Sequence, residues 1–596
     1  MSGKAHSSAV GSIPPSATER PAPPPGAARP CSGRERQNGA VPSGEPADAH
    51  AALAAGRWDA ARAGFEQCLE RRETPEECFG LAVSLWWLGE NHASVERCSR
   101  AYSLFRASGD VPGAVRCAVW LAITYKANFA NPVAANGWLN RAERLLSALP
   151  PGPLHGWLWI ARAYRLDDLR AAEELSARAA ELARDTDDVD LELVALSQLG
   201  LVRVGQGQTV GGFALIDEAM AAALAGEPTR LDTVVYACCD MLNACELASD
   251  LERAAQWCTV ADHFVAEYGC PFLYAECRIY YGSVLAAKGR WGEAERELHR
   301  GLRITDGTCP GLHTRALTRL ASLRIRQGRL DEAGQLLGHL GDDVEAEAEE
   351  VLSVAALLLA RGEAPAAGRH VEQRLHDLEM HRSHLAAALE LLVDARLATG
   401  ELAAGAAAAQ RLGDLAALGH GGQLRAVAAG AAGRVASARG DASAAVAHLE
   451  EARRTWSRLE RPFELARARF DIAVSLATSE RELAIGHARR ALASFETLGA
   501  GLDADRAAAF LRSLGVNART GAKGVGLLTT REQEVLRLLG AGHSNPEIAA
   551  RLHVSRKTAS HHVSSILTKL TLRNRAEAAA YAVGVLGPPA GPPAGT

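Results

Sequence analysis

The sequence predicts an all-α chain: a long solenoid of stacked helix pairs followed by a compact four-helix unit. Three observations point there. A turn residue and, five positions later, a small residue recur along most of the chain. Aromatic residues make up only 5% of the 596, with alanine as the visible filler. That mix suits helices, since strands favour aromatic and β-branched side chains. The last sixty residues carry a dense series of helix start and stop signals.

Residues 1–46 hold nine of the 25 prolines, with Gly and Ser between them, and read as a disordered tail with no apolar signal core. Residues 47–514 hold the repeats. Turn residues fall at Gly56, Gly89, Ala130, Asp167, Gly207, Asp250, Gly289, Gly328, Gly362, Gly400, Gly440 and Ser479. Five positions on stand Ala61, Ser94, Ala135, Ala172, Gly212, Ala255, Ala294, Ala333, Ala367, Gly405, Ala445 and Ala484. A Gly or Asp ends one helix or opens the next, and the small residue lets the second helix approach its partner. One helical turn further, Phe65, Leu139, Ile216, Leu298, Leu337 and Leu449 extend an apolar stripe. One pair cannot bury that face alone, so neighbours bury it in series, here as about twelve pairs. Gly56-Arg57-Trp58-Asp59-x-Ala61-x-x-x-Phe65, with the units opening at Gly289 and Gly328, resembles tetratricopeptide repeats. The intervals run from 33 to 43 residues, so the array is tetratricopeptide-like rather than regular. Such arrays expose a concave groove for a protein or small-molecule partner. Trp86, Trp87, Trp120, Trp138, Trp157 and Trp159 cluster in the first third, and core packing is the favoured use for most of them.

Residues 515–527 are glycine-rich and read as a linker. They are not a phosphate loop, because Gly-x-x-x-x-Gly-Lys-Ser/Thr occurs nowhere in the chain. Residues 528–586 then predict four helices. Thr529 to Glu532 form a capping box, Asn545-Pro546-Glu547 an N-cap followed by proline, Ser555 caps a third helix over 556–570, and Asn574 with Glu577 caps a fourth. Residues 587–596, uncharged with four prolines, read as a second tail. Two helices joined by a tight turn in a basic segment form a helix-turn-helix signature.

At 100° per residue the third helix sorts into two faces. Ala559, Val563, Ile566, Leu567 and Leu570 share one. Lys557, Ser564, Thr568 and His561 lie opposite, with Ser560 on the flank. The second face carries donors and acceptors of the kind that read base edges in a major groove; an ordinary solvated helix face would look the same.

The pattern Leu528-Thr529-x-Arg531-Glu532-x-Glu534-Val535-Leu536, Gly542-x-Ser544-Asn545-x-Glu547-Ile548-Ala549-x-x-Leu552, Val554-Ser555-x-x-Thr558, His562, Ile566, Lys569-Leu570 and Arg575-Ala576-Glu577-Ala578 resembles the LuxR/FixJ-type DNA-binding domain. The resemblance implies that the third helix enters the major groove. It places Ser560, His561 and Ser564 as base readers and Lys557, Thr558, His562 and Lys569 at or beside phosphates. The fourth helix would supply a dimer contact through Ala578, Tyr581, Ala582 and Val585; the competing reading is that this stripe belongs partly to the domain's own thin core. This sequence departs from the family at Ser560, where many relatives carry lysine, and at Thr571, where glycine is common. Fewer cations mean fewer released counterions, so the salt dependence of binding should be shallower than in lysine-bearing relatives. An equal or steeper slope, measured side by side, would contradict that.

Charge and cysteine usage narrow the function classes. Residues 528–586 carry eight Lys/Arg against four Asp/Glu, a +4 unit in a chain of net −5, which leaves −9 on the rest. Only the small unit points to a polyanion partner. All twelve cysteines lie between Cys31 and Cys309 with no Cys-x-x-Cys, and read as small buried residues in a reducing compartment. No apolar run approaches membrane-span length; Val351 to Ala360 stops at Arg361. His561-His562 and the His376, His381, His384 group complete no metal-ligand pattern. No catalytic motif of the phosphate-loop, His-Glu-x-x-His or Gly-x-Ser-x-Gly type occurs, so neither an enzyme nor a cofactor is expected. Solenoid plus terminal domain, with Phe495-x-x-Leu498-Gly499 and Asp503-Ala504-Asp505-Arg506-Ala507, resembles the large ATP-binding LuxR regulators without their ATPase. The expected function is a cytoplasmic, nucleoid-associated transcription regulator. It would bind double-stranded DNA as a homodimer, meet RNA polymerase as a further partner, take a protein or small-molecule effector on the solenoid and contact no membrane. The competing reading is an interaction scaffold whose DNA-binding domain is vestigial.

Overall fold

A computed structural model describes residues 46–147, 149–165, 168–248, 250–338, 348–378, 382–417, 422–516, 530–552, 554–569 and 574–586. Residues 1–45 of the expected first tail, the expected second tail, most of the expected linker, and Asp167, His381, Thr529, Leu570 and Thr571 lie outside them, while Pro46 opens the first helix instead of ending the tail. Every element among the described residues is a helix: twenty-five from Pro46 to Ser513, then four from Thr530 to Leu586. The twenty-five are antiparallel pairs in series, from Pro46–Ala54 with Trp58–Arg71 to Pro462–Leu476 with Arg481–Leu498, closed by Gly501–Ser513.

The repeat follows from the turn chemistry. Gly56, Gly89, Gly207, Gly289, Gly328, Gly362, Gly400 and Gly440 all take positive φ, as does Ala130. After each glycine turn the next residue donates its N–H five residues back, Arg57 to Ala52, Glu90 to Leu85, Gln208 to Arg203 and Arg290 to Leu285 among others. This is the 6→1 hydrogen bond that ends a helix and reverses the chain. After Ala130, by contrast, Asn131 reaches six back to Tyr125. The small residues five positions on are buried with one exception. Gly212 shows why size matters: a Cβ there would sit 2.6 Å from the carbonyl oxygen of Gly200 on the facing helix. The exception is Ala255, half-buried, with Ala254 buried in its place. Asp250 is not the turn residue but the N-cap, accepting from the N–H of Arg253 at 3.1 Å, so the register there moves back by one.

The array coils until distant repeats touch. Trp58 stacks on Trp87 at 4.3 Å and donates its indole N–H to the carbonyl of Tyr268, 210 residues away. Asn91 donates to the Thr308 carbonyl at 2.9 Å. Further on, Lys288 pairs with Glu460 at 2.6 Å and Trp291 packs on Phe463. The aromatic residues at Trp58, Trp86 and Trp87 therefore seal successive turns of the coil as well as filling helix pairs. Trp86 reaches Phe272 and donates to Asn128 Oδ1 at 3.2 Å.

Of the eleven cysteines described as free thiols, all are buried except the half-buried Cys239. Burial pushes Cys78 up to about 11 and Cys238 and Cys270 up to about 12. Such thiols stay protonated and behave as small apolar residues. Among the described residues no group of His, Cys, Asp and Glu could hold a metal, and no helix is long and apolar enough to cross a membrane.

One buried carboxyl gives a stability prediction. Asp240 on Leu231–Ala248 accepts from the Tyr164 hydroxyl at 2.9 Å and from Ser197 Oγ at 2.6 Å, joining three helix pairs. Burial pushes it up to about 7, against the two hydrogen bonds that favour the carboxylate. A folded-state value raised above the unfolded one gives stability that is complete below the unfolded value, near pH 4, and is lost as pH rises through 7. The melting temperature of Asp240→Asn should therefore gain on the unaltered chain as pH is raised from about 4 to about 7. A gap that does not change with pH would contradict this.

Candidate nucleic-acid interface

The last four helices span Thr530–Gly540, Asn545–Arg551, Arg556–Lys569 and Arg575–Leu586. Val535, Leu539, Ile548, Ala559, Ile566 and Ala578 anchor their shared core. The second helix is capped by Ser544 and not by Asn545. Ser544 donates its N–H at 2.6 Å and its hydroxyl at 2.7 Å to Glu547, holding that carboxyl below the usual range. The cap thus lies one residue earlier than the sequence suggests, which frees the Asn545 side chain. Ser555 caps the third helix by accepting from the N–H of Thr558 at 3.0 Å, and Asn574 caps the fourth by accepting from that of Glu577 at 3.0 Å.

Four residues separate the second helix from the third. Ala559, Val563 and Ile566 are buried, as the helical wheel requires, which turns the other face outward. Lys557, Thr558, Ser560, His561 and Ser564 are exposed, and His562 is half-buried. The Lys569 side chain lies outside the described residues, as do those of Tyr581 and Val585. Of the expected dimer stripe, Ala578 and Ala582 are 0% and 2% exposed in the domain's own core. A contact between two copies through this helix is left to its other positions.

Several residues hold the reading helix in place by contacts beyond the caps that the sequence predicts. Arg531 donates to the carbonyl of Leu552 and pairs with Glu534 at 2.6 Å, tying the first helix to the turn. Arg575 donates to the carbonyl of His543 and, at 2.7 Å, to Asn545 Oδ1. Glu532, only 4% exposed, accepts from Ser565 Oγ at 2.6 Å and locks the third helix against the first. Their positions lay within the motif; their tasks are visible only from the packing. Arg537, Arg551, Arg556 and Lys557 are the exposed cations described in this unit.

A capped helix, a short turn and a basic helix with one sealed and one polar face define a helix-turn-helix DNA-binding domain. Residues 526–582 match the family described as "Bacterial regulatory proteins, luxR family", so the C-terminal unit is a LuxR-type helix-turn-helix domain. The chain is similar to the response regulator protein VraR of Staphylococcus aureus, 48% identical over 56 residues, which is 9% of this chain and 27% of that protein. The same protein of Staphylococcus saprophyticus matches with the same figures. The chain thus spans about a quarter of the length of these curated relatives.

Among solved structures the chain is similar to the APC/C hetero-tetramer Cut9-Hcn1 at 13% identity and TM-score 0.35, covering 75% of this chain and 92% of that one. It is also similar to yeast Tom70 at 13% identity and TM-score 0.32, covering 73% and 96%. The tetratricopeptide-like assignment rests on the chain's own helix pairs and turns rather than on these likenesses.

A second candidate site lies in the bore of the solenoid, a half-open cavity of about 1380 Å³. Its wall mixes leucines with a ladder of charge. Arg434 pairs with Glu390 at 3.2 Å, Asp394 at 2.8 Å and Asp471 at 3.6 Å, and Arg467 pairs with Asp394 at 3.2 Å. Burial pushes Asp471 up despite these guanidinium groups. The space exceeds the usual small-molecule pocket, so it admits a peptide segment as readily as a metabolite.

Proposed function

We propose that the chain is a cytoplasmic transcription regulator that binds double-stranded DNA site-specifically through the helix Arg556–Lys569. The observation that carries this is the division of that helix. Its apolar face is sealed into the domain core, while Ser560, His561 and Ser564 stand exposed beside Lys557 and Thr558. Ser560, His561 and Ser564 would meet base edges; Lys557, Thr558, His562 and Lys569 would meet phosphates and fix register. Two copies on DNA would read a roughly palindromic site. The solenoid would take a protein or small-molecule effector in its bore and govern how the domain is presented, and RNA polymerase would be a partner on the promoter.

The salt dependence of affinity tests the phosphate assignment. Lys557→Ala should weaken binding to specific and non-specific DNA alike and lower the slope of log affinity against log salt by about 1. An unchanged slope removes Lys557 from the phosphate set.

A further inference from the structure

The displaced cap has a consequence for how Ser560 meets a base. Asn545 Nδ2 donates to Ser560 Oγ at 2.9 Å, and Asn545 Oδ1 accepts from Arg575 Nη1 at 2.7 Å. The orientation of the amide follows from chemistry. A guanidinium only donates, so the oxygen of Asn545 must face Arg575 and the amide N–H must face Ser560. One lone pair of the Ser560 hydroxyl is thereby occupied by a donor. Many serines within helices of this chain give their proton to the carbonyl one turn back, as Ser84 does to Gly80 and Ser176 to Ala172. The hydrogen bond described for Ser560 is the one it accepts from Asn545. Its O–H is thus turned away from the amide and free to be offered along the exposed face.

We infer that Asn545 is a positioning residue for base selectivity, holding Ser560 as a hydrogen-bond donor toward an acceptor on the base edge. In the major groove such acceptors are O6 and N7 of guanine, N7 of adenine and O4 of thymine. Arg575 and the carbonyl of His543 anchor the relay, so the fourth helix and the turn before the second helix set the polarity of a group on the third. This rests on the reading of Ser560 as a base reader.

The test is binding-site selection from a randomised duplex library by the full chain, its Ser560→Ala variant, and Asn545→Ala and Asn545→Asp. An aspartate at 545 keeps the pair with Arg575 and suits the first turn of a helix. It can only accept, so the Ser560 proton turns toward it and a lone pair faces the groove. Ser560→Ala should relax one base position by roughly three- to tenfold, the scale of a single hydrogen bond. Asn545→Ala should relax the same position, and Asn545→Asp should shift it toward the amino-bearing bases adenine and cytosine. A general loss of affinity from the added negative charge would leave that shift readable.

A change with Ser560→Ala but none with either Asn545 variant overturns the positioning role. Unchanged selection by Ser560→Ala overturns the inference while DNA binding stands. Loss of all selective binding by a folded Asn545→Ala overturns it also, since the position would then carry affinity itself. No enriched sequence with the unaltered chain would instead defeat the underlying reading.

Discussion

A chain ending before Leu528 should lose site-specific DNA binding altogether, by at least about 10³-fold against the full chain. The exposed polar face of Arg556–Lys569 and its cations go with the deleted segment. The solenoid closes on Gly501–Ser513 and has its own cores, with Leu511 packed among Ala473, Ile485 and Ala488, so the truncated chain should keep its helical content. Binding measured by titration of a selected duplex, with circular dichroism as the control, decides the matter. Retained selective binding would mean that the solenoid reads DNA and would sink the assignment. The scaffold reading predicts instead that neither chain selects a sequence.

The second large effect lies in the solenoid. Arg319, with its side chain 7% exposed, is gripped by carboxylates from two other helices. Its Nε and Nη2 donate to Glu349 at 3.0 and 2.7 Å, Nη2 also reaches Glu246, and Nη1 donates to Ser283 Oγ at 3.2 Å. The ring of Tyr280 lies 4.7 Å from the guanidinium carbon. Burial would push Glu349 up, but Arg319 holds it down at about 2.

Arg319→Ala takes the donating guanidinium from buried Glu349 and part-exposed Glu246, leaving Arg315 as the arginine still acting on Glu349, and should cost about 3 kcal/mol in chemical denaturation. A loss below about 1 kcal/mol would show the grip to be ornamental. Replacing all three charged residues by apolar ones should restore much of the loss, because the cost belongs to the orphaned charge and not to the missing attraction. The acid limb follows with a definite sign. A carboxyl depressed in the folded state stabilises above its unfolded value and loses that contribution as pH falls through the folded one. The unaltered chain should therefore lose this support between about pH 4.5 and 2, and Arg319→Ala should lack that part of the acid transition.

The repeat was legible because it is a local, periodic signal. Turn residues and the small residues after them sit five positions apart in the chain, and their spacing survives where the side chains around them vary. Asp250 misled because aspartate serves both as a turn residue and as an N-cap, and only the hydrogen bond to Arg253 separates the two. The tryptophans were legible as core but not as seams between turns of the coil. The partner of Trp58 lies 210 residues away and no local pattern points to it.

In the terminal domain the wheel placed Ala559, Val563 and Ile566 correctly, since burial on one helix is periodic. The tasks of Arg531, Glu532, Asn545 and Arg575 were not readable, because each is fixed by a partner on another helix. That changes the meaning of the +4 charge: Arg531 and Arg575 hold backbone carbonyls, so they count toward the fold before they count toward a polyanion. Ala578 and Ala582 show the converse. An apolar stripe on a short domain serves its own core first.

Base reading by Arg556–Lys569 can be tested in cells. Crosslinking and sequencing of the DNA bound in cells by the full chain, beside a Lys557→Glu, His561→Ala double variant of equal abundance, tests it most directly. The unaltered chain should enrich a roughly two-fold symmetric sequence, and the double variant should lose it. The same enriched sequence from both chains would contradict base reading by this helix.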